Sequence, residues 1–170
     1  MGEGGARVFL AWAPEGLYGA VEVADATLKQ KDPRSFWAGD CLELFVDTRD
    51  AKRARRYEPG DHQFWLVPLV DEKRAYVGQW KRGNETAATR YDVAGIKTAA
   101  RRQGGGYVIE FLLPASELKG YAPKAGARLG INLNVTAKGA KFEREVYWPV
   151  SKTDGAPDHP ERWGTMELGQ

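Results

Sequence analysis

The sequence is poor in the residues on which several classes of catalytic and metal site depend. Among 170 residues it has one cysteine and two histidines. A single cysteine, Cys41, excludes an internal disulfide, and its apolar surroundings favour an inert buried thiol over a nucleophile. His62 and His159 lie far apart in sequence, and neither belongs to a recognisable catalytic or metal-binding motif. HExxH, paired CxxC, a GxGxxG that opens a helix and the P-loop are all missing, so the chain lacks the signatures of those enzymes.

The chain also lacks a strong excess of charge and any long hydrophobic run. Its 25 Lys and Arg residues nearly balance its 23 Asp and Glu residues. A nucleic-acid partner is therefore not expected. The basic segments at 51–57 and 99–105 are short and lie next to turn signals, which favours solvated loops. No segment approaches the roughly 20 apolar residues of a membrane span, and no signal peptide is recognisable.

Aromatic residues, glycine and proline are abundant instead, and they favour an all-β fold. The chain has 6 Trp, 7 Tyr, 6 Phe, 20 Gly and 9 Pro, and amphipathic helical segments are scarce. Turn signals separate short apolar or alternating runs, which predict strands at 6–13, 16–25, 40–47, 62–69, 74–81, 106–114, 127–137 and 142–150, with a short last strand near the end. Parallel sheets need crossover helices, which are missing. We therefore expect a single antiparallel β-sandwich domain over residues 1–170, with little helix beyond one turn at 115–120, whereas residues 91–102 fit a short strand or a helix.

One predicted strand carries a carboxylate in its middle. In residues 40–47, Leu42 and Leu44 flank Glu43, so a period of two sends Glu43 to the face opposite the leucines. A half-buried carboxylate needs a partner, which an arginine, backbone amides or the hydroxyls of a ligand can each provide. Glu110 interrupts another strand, and two carboxylates about 5 to 10 Å apart are what glycoside hydrolysis requires. The sequence leaves these alternatives open, although a structural partner for each carboxylate is favoured over a hydrolase.

Five short motifs follow one another along the chain. They are LYGAVEVAD (17–25), WAGDCLELFVD (37–47), YVIEFLLPASEL (107–118), GARLGINLNV (126–135) and PERWGTMEL (160–168). Together they resemble the carbohydrate-binding modules of family nine, within the DOMON-like group of immunoglobulin-like and jelly-roll-like β-sandwiches. Each motif alone is weak, but the match covers nearly all of the chain from Leu17 onward. The resemblance implies a non-catalytic module that binds a polysaccharide or an oligosaccharide.

The resemblance also implies a binding site. In this family two tryptophans form a slot that clamps a sugar at the reducing end of a chain, and a glutamate six residues after the first tryptophan binds hydroxyls. Trp37 and Glu43 have this spacing, and Trp163 matches the second wall. Flat aromatic walls and a carboxylate acceptor suit a pyranose, whose faces are apolar C–H groups and whose rim carries hydroxyls. The further candidate sugar-binding residues are Gln63, Trp65 and His159, whereas Trp12, Trp80 and Trp148 are expected in the core.

The same resemblance predicts where such a module works. Modules of this kind serve as accessory domains of glycoside hydrolases or other larger polypeptides. We therefore expect an extracellular, periplasmic or cell-envelope location, with other domains of a larger polypeptide as partners. No cofactor is predicted at an identified site. Family members can bind structural calcium, and the oxygen ligands available here, Asp25, Asp47 and Asp50, are scattered in sequence, which leaves calcium binding open.

Two other functions stay open at the level of the sequence. A haem-binding DOMON-like domain needs a methionine or a histidine as iron ligand, and Met166, His62 and His159 are available. A structural sandwich without a ligand needs only an apolar surface that packs against neighbouring domains. The positions of these side chains in the fold decide between the alternatives.

Overall fold

The computed structural model describes residues 5–53, 57–80, 89–139 and 144–169, and its strands form a β-sandwich. Ten strands are present in this part of the chain. In chain order they are β1 (Ala6–Ala13), β2 (Gly16–Val23), β3 (Cys41–Asp47), β4 (Asp61–Leu69), β5 (Arg74–Trp80), β6 (Lys97–Gln103), β7 (Gly106–Pro114), β8 (Arg128–Ala137), β9 (Arg144–Trp148) and β10 (Gly164–Glu167). The predicted antiparallel β-sandwich is confirmed.

Two antiparallel sheets make up the sandwich. One has four strands in the order β1-β2-β7-β6, and the other has six, in the order β10-β8-β3-β4-β5 with β9 also paired to β8. β10 pairs with the first half of β8 and β9 with the second half, so both lie along one edge of that strand. Hydrogen bonds join the sheets between β5 and β6, where Thr98 Oγ1 accepts from Ala75 N at 3.0 Å and donates to Ala75 O at 2.9 Å. The sandwich is therefore closed on the β5–β6 side, while its other side, between β1 and the β9–β10 edge, is open.

The ambiguous and helical segments resolve into strand and 3₁₀ structure. The segment 91–102, which fits either a strand or a helix in sequence, supplies most of β6. The predicted helical turn at 115–120 is a 3₁₀ turn, Ala115–Glu117, and no side chain caps it. Two residues of the predicted strand 142–150, at 142 and 143, and the end of the predicted strand 74–81 lie outside the described residues. In the described part of the chain, no helix is long and apolar enough to cross a membrane.

A 3₁₀ turn that periodicity does not predict interrupts the loop between β2 and β3. It spans Pro33–Ala38, with proline in its first turn, where a missing N–H costs nothing. The Asp32 carboxylate accepts a hydrogen bond from Arg34 N at 3.0 Å and so caps its start. This turn carries Phe36 and Trp37 to the sheet.

The core lies between the two sheets, and the six-stranded sheet is also covered on its other face. Leu42 and Leu44 of β3 belong to the main core cluster, as the period of two predicts. Cys41, Glu43 and Phe45 point the opposite way, to a surface that we call the outer face, yet every residue of β3 is buried. The 3₁₀ turn Pro33–Ala38 and the loop 149–163 lie on that face, because side chains of the turn contact β4 and side chains of the loop contact β3 and β8. This second layer of burial positions the candidate site.

Candidate functional site

Aromatic rings cover one end of the outer face. Phe36 of the 3₁₀ turn stacks on Trp65 of β4, with ring centroids 4.9 Å apart and planes inclined by 22°. Trp65 Nε1 donates a hydrogen bond to Pro33 O at 3.0 Å, which ties the turn to the strand a second time. Gly78 of β5 makes room for this ring, since a Cβ there would lie 1.9 Å from a Trp65 ring atom. The turn that carries Trp37 is therefore firmly seated on the sheet.

Trp37 is one of two rings in this group that face solvent. It packs edge-on against Phe36 at a centroid distance of 5.3 Å, and 55% of its surface is exposed. Tyr91 is the other exposed ring of the group and lies 5.9 Å from Trp65 in an edge-on arrangement. An exposed indole on an anchored support is a ready surface for stacking, because little conformational entropy is lost when a ligand covers it.

Glu43 is satisfied by a lysine. Its Oε1 lies 2.5 Å from Lys152 Nζ, and the two side chains are 3% and 24% exposed, respectively. The other oxygen accepts a long hydrogen bond from Gln63 Nε2 at 3.5 Å. The carboxylate is therefore held by a lysine ammonium from the loop 149–163, and not by one of the three partners considered from the sequence, an arginine, backbone amides or ligand hydroxyls.

Lys152 connects the charged pair to the aromatic rings. Its Nζ also donates to Thr136 Oγ1 at 3.1 Å and lies 5.9 Å from the centroid of the Phe36 ring, next to Trp37 in sequence. Burial disfavours the ammonium ion, but the adjacent Glu43 carboxylate outweighs that cost, so the pKa of Lys152 is raised. Lys152 is therefore charged at neutral pH, and it lies beside the ring system that carries Trp37.

Trp163 does not face solvent. It is 2% exposed, and its ring packs against Phe45 at 5.4 Å and Tyr57 at 5.7 Å. Its Nε1 donates to Ala156 O at 2.8 Å, and Lys52 Nζ donates to its backbone oxygen. The structure thus places Trp163 beneath the loop 149–163, where it holds the loop to the sheet, and not on an open wall opposite Trp37.

The remaining predicted site residues separate into buried and loop positions. Gln63 and Trp65 share the outer face, as their alternation predicts, but both are covered, at 1% and 0% exposure. His159 lies in the loop 149–163, where Nδ1 is 2.9 Å from Glu161 Oε1. Trp37, Glu43, Gln63 and Trp65 are therefore brought to one region of the outer face.

Of the three tryptophans expected in the core, only Trp12 packs against it. Trp12 is partly buried against the main core cluster, whereas Trp80 packs against Phe36 and Trp65 on the outer face. Trp148 is 48% exposed, so the expectation that it is buried is wrong. It lies at the open side of the sandwich, where its ring passes over Gly164, and a Cβ on that glycine would approach the ring to 2.3 Å.

Comparison with known proteins assigns the chain to a family. The family model described as carbohydrate family 9 binding domain-like matches residues 3–170. The chain belongs to this family. The resemblance inferred from the five motifs is confirmed. A search of curated proteins finds no match.

Two solved structures of a family 9 carbohydrate-binding module from Caldicellulosiruptor kristjanssonii have the same fold. The structure in complex with cellotriose has a TM-score of 0.70 and 19% identity, with 96% of this chain and 74% of that chain covered. The structure in complex with glucose has a TM-score of 0.69 and 20% identity, with 97% and 77% covered. At this identity the likeness establishes the fold, and the site must be argued from this chain's own residues.

Within this family 9 fold, the two strand glutamates are too far apart to act together. Glu43 points out from the six-stranded sheet, whereas Glu110 points out from the four-stranded sheet, opposite Ala20 and Ala99. The whole core lies between them, and packed sheets are about 10 Å apart before the outward reach of both side chains is added. A hydrolytic pair of these carboxylates is therefore excluded. Glu110 pairs with Arg101 at 2.9 Å.

The candidate haem ligands lie in different places. Met166 of β10 lines the open side of the sandwich together with Trp148, in a cavity of about 440 Å³. His62 is on β4, three strands away across β8 and β3, which is about 14 Å at 4.7 to 4.9 Å per strand. His159 is in the loop beside Glu161. Met166 and His62 are therefore too far apart to share one iron.

The three aspartates considered for calcium do not form a site. Asp47 Oδ1 and Oδ2 accept hydrogen bonds from backbone N–H groups of the following turn, and Asp50 pairs with Lys52 at 3.0 Å. Asp25 faces Asp40, which precedes β3, whereas Asp47 ends that strand, about 23 Å away at 3.3 Å per residue. In the described ranges, no group of three or more His, Cys, Asp or Glu residues could hold a metal ion. These residues do not fit a calcium site shared by all three.

Asp25 and Asp40 instead form a buried acidic pair. Asp40 Oδ1 accepts from Lys138 N at 2.7 Å, and Asp25 Oδ1 accepts from Thr27 N at 2.9 Å. The other oxygen of each carboxyl group, and the Tyr107 hydroxyl, are buried without a hydrogen-bond partner. Burial, reinforced by Asp25, raises the pKa of Asp40 to about 6. A carboxyl group with a raised pKa destabilises the fold as it ionises, so this pair makes the free energy of unfolding depend on pH.

Several important contacts could not be found from sequence. Lys152 lies in a polar loop without periodicity, and nothing in the sequence distinguishes it among 25 cationic residues. Asn132 is buried and fastens the same loop, since its Oδ1 accepts from Val150 N at 2.9 Å and its Nδ2 donates to Val150 O at 3.1 Å. Only the general rule that a buried carboxylate needs a partner pointed towards such a lysine.

Proposed function

We propose that this domain binds sugars without catalysis and that a pyranose ring stacks on Trp37. The observation that carries the proposal is an indole 55% exposed on an anchored turn, beside a charged Lys152–Glu43 pair. Membership of the carbohydrate family 9 binding domain-like family supports the ligand class. So do the two structures of the same fold, whose ligands are cellotriose and glucose.

The chemistry of the surface suits a neutral polyhydroxyl ligand. Stacking that removes about 100 Å² of apolar surface from water contributes about 2.5 kcal/mol. Each hydrogen bond to a charged group adds about 1.5 to 3 kcal/mol. Association costs at least about 4 kcal/mol, so the expected dissociation constant is roughly micromolar to millimolar. Such an affinity is adequate for a module that keeps a larger polypeptide near its polysaccharide.

In this proposal Glu43 acts together with Lys152. A ligand reaches the Glu43 carboxylate only by displacing the ammonium that covers it. The lysine therefore donates hydrogen bonds to sugar hydroxyls while Glu43 holds it in place and balances its charge. Gln63 steadies the second oxygen of Glu43, and Trp65 supports the turn that carries Trp37.

Trp163 and His159 have supporting roles in the same proposal. Because Trp163 is 2% exposed, it can stack on a sugar only if the loop 149–163 moves. We assign to it the anchoring of that loop, which delivers Lys152. His159 belongs to the loop surface and is the least constrained of the candidates.

The proposed role is that of a targeting module in a larger polypeptide outside the cytoplasm. The family assignment supports this role. Polysaccharides are the ligands that such a module meets in an extracellular or envelope location. Other domains of the polypeptide then supply any catalytic activity.

Isothermal titration calorimetry with glucose and cellotriose tests the proposal. Trp37→Ala should weaken binding at least about tenfold, since it removes the stacking surface, and one factor of ten is about 1.4 kcal/mol. Trp148→Ala is the matched control, because it removes a tryptophan of similar exposure, 48%, at the open side of the sandwich. Wild-type affinity in Trp37→Ala, or loss of binding in Trp148→Ala alone, contradicts the proposed site.

A further inference from the structure

The outward face of the four-stranded sheet carries an ordered pattern of side chains. Strand register aligns one row across all four strands, made of Phe9, Ala20, Glu110 and Ala99. A second row beside it is made of Ala11, Tyr18, Leu112 and Lys97. Together these rows line a shallow, open depression of about 530 Å³.

The two rows combine a small floor with an exposed ring. Ala11, Ala20 and Ala99 contribute only methyl groups, so the sheet backbone is close to the surface there. Phe9 stands at one end of its row on β1 and is 53% exposed. Tyr18 of the next row lies diagonal to it, and its hydroxyl donates to Glu15 Oε1 at 2.8 Å. A flat ligand can lie on the methyl floor against the Phe9 ring.

Charged groups lie within the depression as well as around it. Glu110 occupies the centre of the first row and pairs with Arg101 at 2.9 Å, with both side chains about half exposed. Lys97 ends the second row and is exposed. Charged residues are depleted from the cores of protein–protein interfaces, and stable interfaces bury about 800 Å² per partner, far more than this depression offers. A ligand with apolar faces and many hydroxyls can stack on the ring and form hydrogen bonds with the charged groups.

We propose that this depression is a second sugar-binding surface, and that it takes the interior of a polysaccharide chain. The four strands give it a width of about 14 Å, three spacings of 4.7 to 4.9 Å, and it is open rather than closed like a pocket. No chain end is therefore needed. Phe9 stacks on a sugar ring, while Glu110 accepts and Lys97 donates hydrogen bonds to hydroxyls.

The proposed surface lies on the opposite side of the sandwich from Trp37. The outer face of the six-stranded sheet and the outward face of the four-stranded sheet point away from each other. One polysaccharide chain on each face makes the domain bivalent, and two weak sites then give a higher apparent affinity for polymers than for short sugars. This inference goes beyond the proposed function and does not require the Trp37 site to bind.

Native gel electrophoresis through soluble polysaccharide tests the second surface. The polymers are hydroxyethylcellulose, mixed-linkage β-glucan and xylan, with a gel that lacks polymer as reference. In the Trp37→Ala background, retardation by at least one polymer should persist, and excess glucose should not abolish it. Adding Phe9→Ala should raise the apparent dissociation constant for the polymer, which is obtained from the retardation, about tenfold, because the stacking ring is lost.

Two further variants keep the test decisive. Ala99→Gln covers the floor without removing any core side chain, and it should also weaken retardation. Arg7→Ala changes a residue on the same face but outside the two rows, and it should leave retardation unchanged. Thermal unfolding of each variant checks that it is folded.

The remaining outcomes are distinguishable. Unchanged retardation in both Phe9→Ala and Ala99→Gln, complete loss in Trp37→Ala, or no retardation by any polymer overturns the second surface. Retardation that depends on Phe9, with glucose binding that does not depend on Trp37, upholds the second surface and refutes the proposed function. A wild-type dimer in sedimentation that Phe9→Ala dissociates shows that a second copy covers this face, and also overturns the proposal.

Discussion

Replacing Lys152 by methionine should leave Glu43 buried without its cation. The methionine keeps most of the side-chain volume, so the change isolates the charge. Glu43 is 3% exposed as a side chain and Lys152 is 24% exposed, so the carboxylate has little access to water once the ammonium is gone. Removal of one partner of a buried ion pair typically costs about 3 to 5 kcal/mol.

Protonation of Glu43 sets the upper limit of this loss. A glutamate with an ordinary pKa near 4.3 can be protonated at pH 7 for about 3.7 kcal/mol, at about 1.36 kcal/mol per pH unit. We therefore expect Lys152→Met to lower the free energy of unfolding by about 3 kcal/mol at pH 7. In the variant the folded-state pKa of Glu43 lies above its unfolded value. Relative to the wild type, the variant therefore loses little stability near pH 4 and progressively more as the pH rises.

Urea denaturation at about pH 4.5 and pH 7 measures both parts of this prediction. Glu43→Gln/Lys152→Met, which leaves neither charge, should be more stable at pH 7 than Lys152→Met alone. A loss below about 1 kcal/mol at pH 7, or a loss that is the same at both pH values, refutes the reasoning, because the pair then behaves like an exposed ion pair.

Two further predictions concern stability. Because the folded-state pKa of Asp40 is about 6, against an unfolded value near 3.9, the free energy of unfolding should fall as pH rises from about 4 to about 6. Asp40→Asn should flatten this fall when unfolding is measured in EDTA, which removes free divalent cations. Some slope should remain, because burial also raises the pKa of Asp61 to about 6. An unchanged slope in Asp40→Asn contradicts the assignment. Gly78→Ala should cost about 1 to 3 kcal/mol, because its Cβ meets the Trp65 ring at 1.9 Å, whereas Gly169→Ala, with no atom within 4 Å, should cost almost nothing.

The strands could be predicted because their periods and turn residues are local signals. The hairpin of β1 and β2 follows from its central Pro-Glu turn, and Ala13 does lie opposite Gly16. The alternation of Leu42, Glu43 and Leu44 gave the correct face for each side chain. Residues 91–102 were ambiguous because tertiary pairing with β7, rather than any periodicity, makes much of that segment a strand.

Burial on the outer face could not be predicted from alternation. A strand pattern separates two faces but does not tell whether solvent or a loop covers the second one. Here the loop 149–163 has no period, and Asn132, Trp163 and Lys152 hold it to the sheet through contacts far apart in sequence. Trp163 is therefore covered, although its motif position suggested an open wall. Trp148 is exposed because the sandwich is open beside it, which no local pattern records.

The partner of Glu43 was unpredictable for the same reason. The rule that a buried carboxylate needs a cation, amides or a ligand is general, but the choice of Lys152 depends on how a loop much later in the sequence folds back onto the sheet. Trp37 and Trp163 each lie in a loop just before a strand, a position that favours exposure, yet only Trp37 is exposed. The sequence thus identified one exposed element of the candidate site and left the polar part to the structure.

The most direct test of the account is the response of the indole N–H resonances to sugar, observed by two-dimensional NMR of protein labelled with nitrogen-15. With six tryptophans, Trp→Phe variants assign each indole signal. On titration with glucose or cellotriose, the Trp37 signal should shift progressively while the Trp148 and Trp163 signals stay in place. A stationary Trp37 signal, with shifts at Trp148 or Trp163 instead, would contradict a stacking site on the 3₁₀ turn before β3.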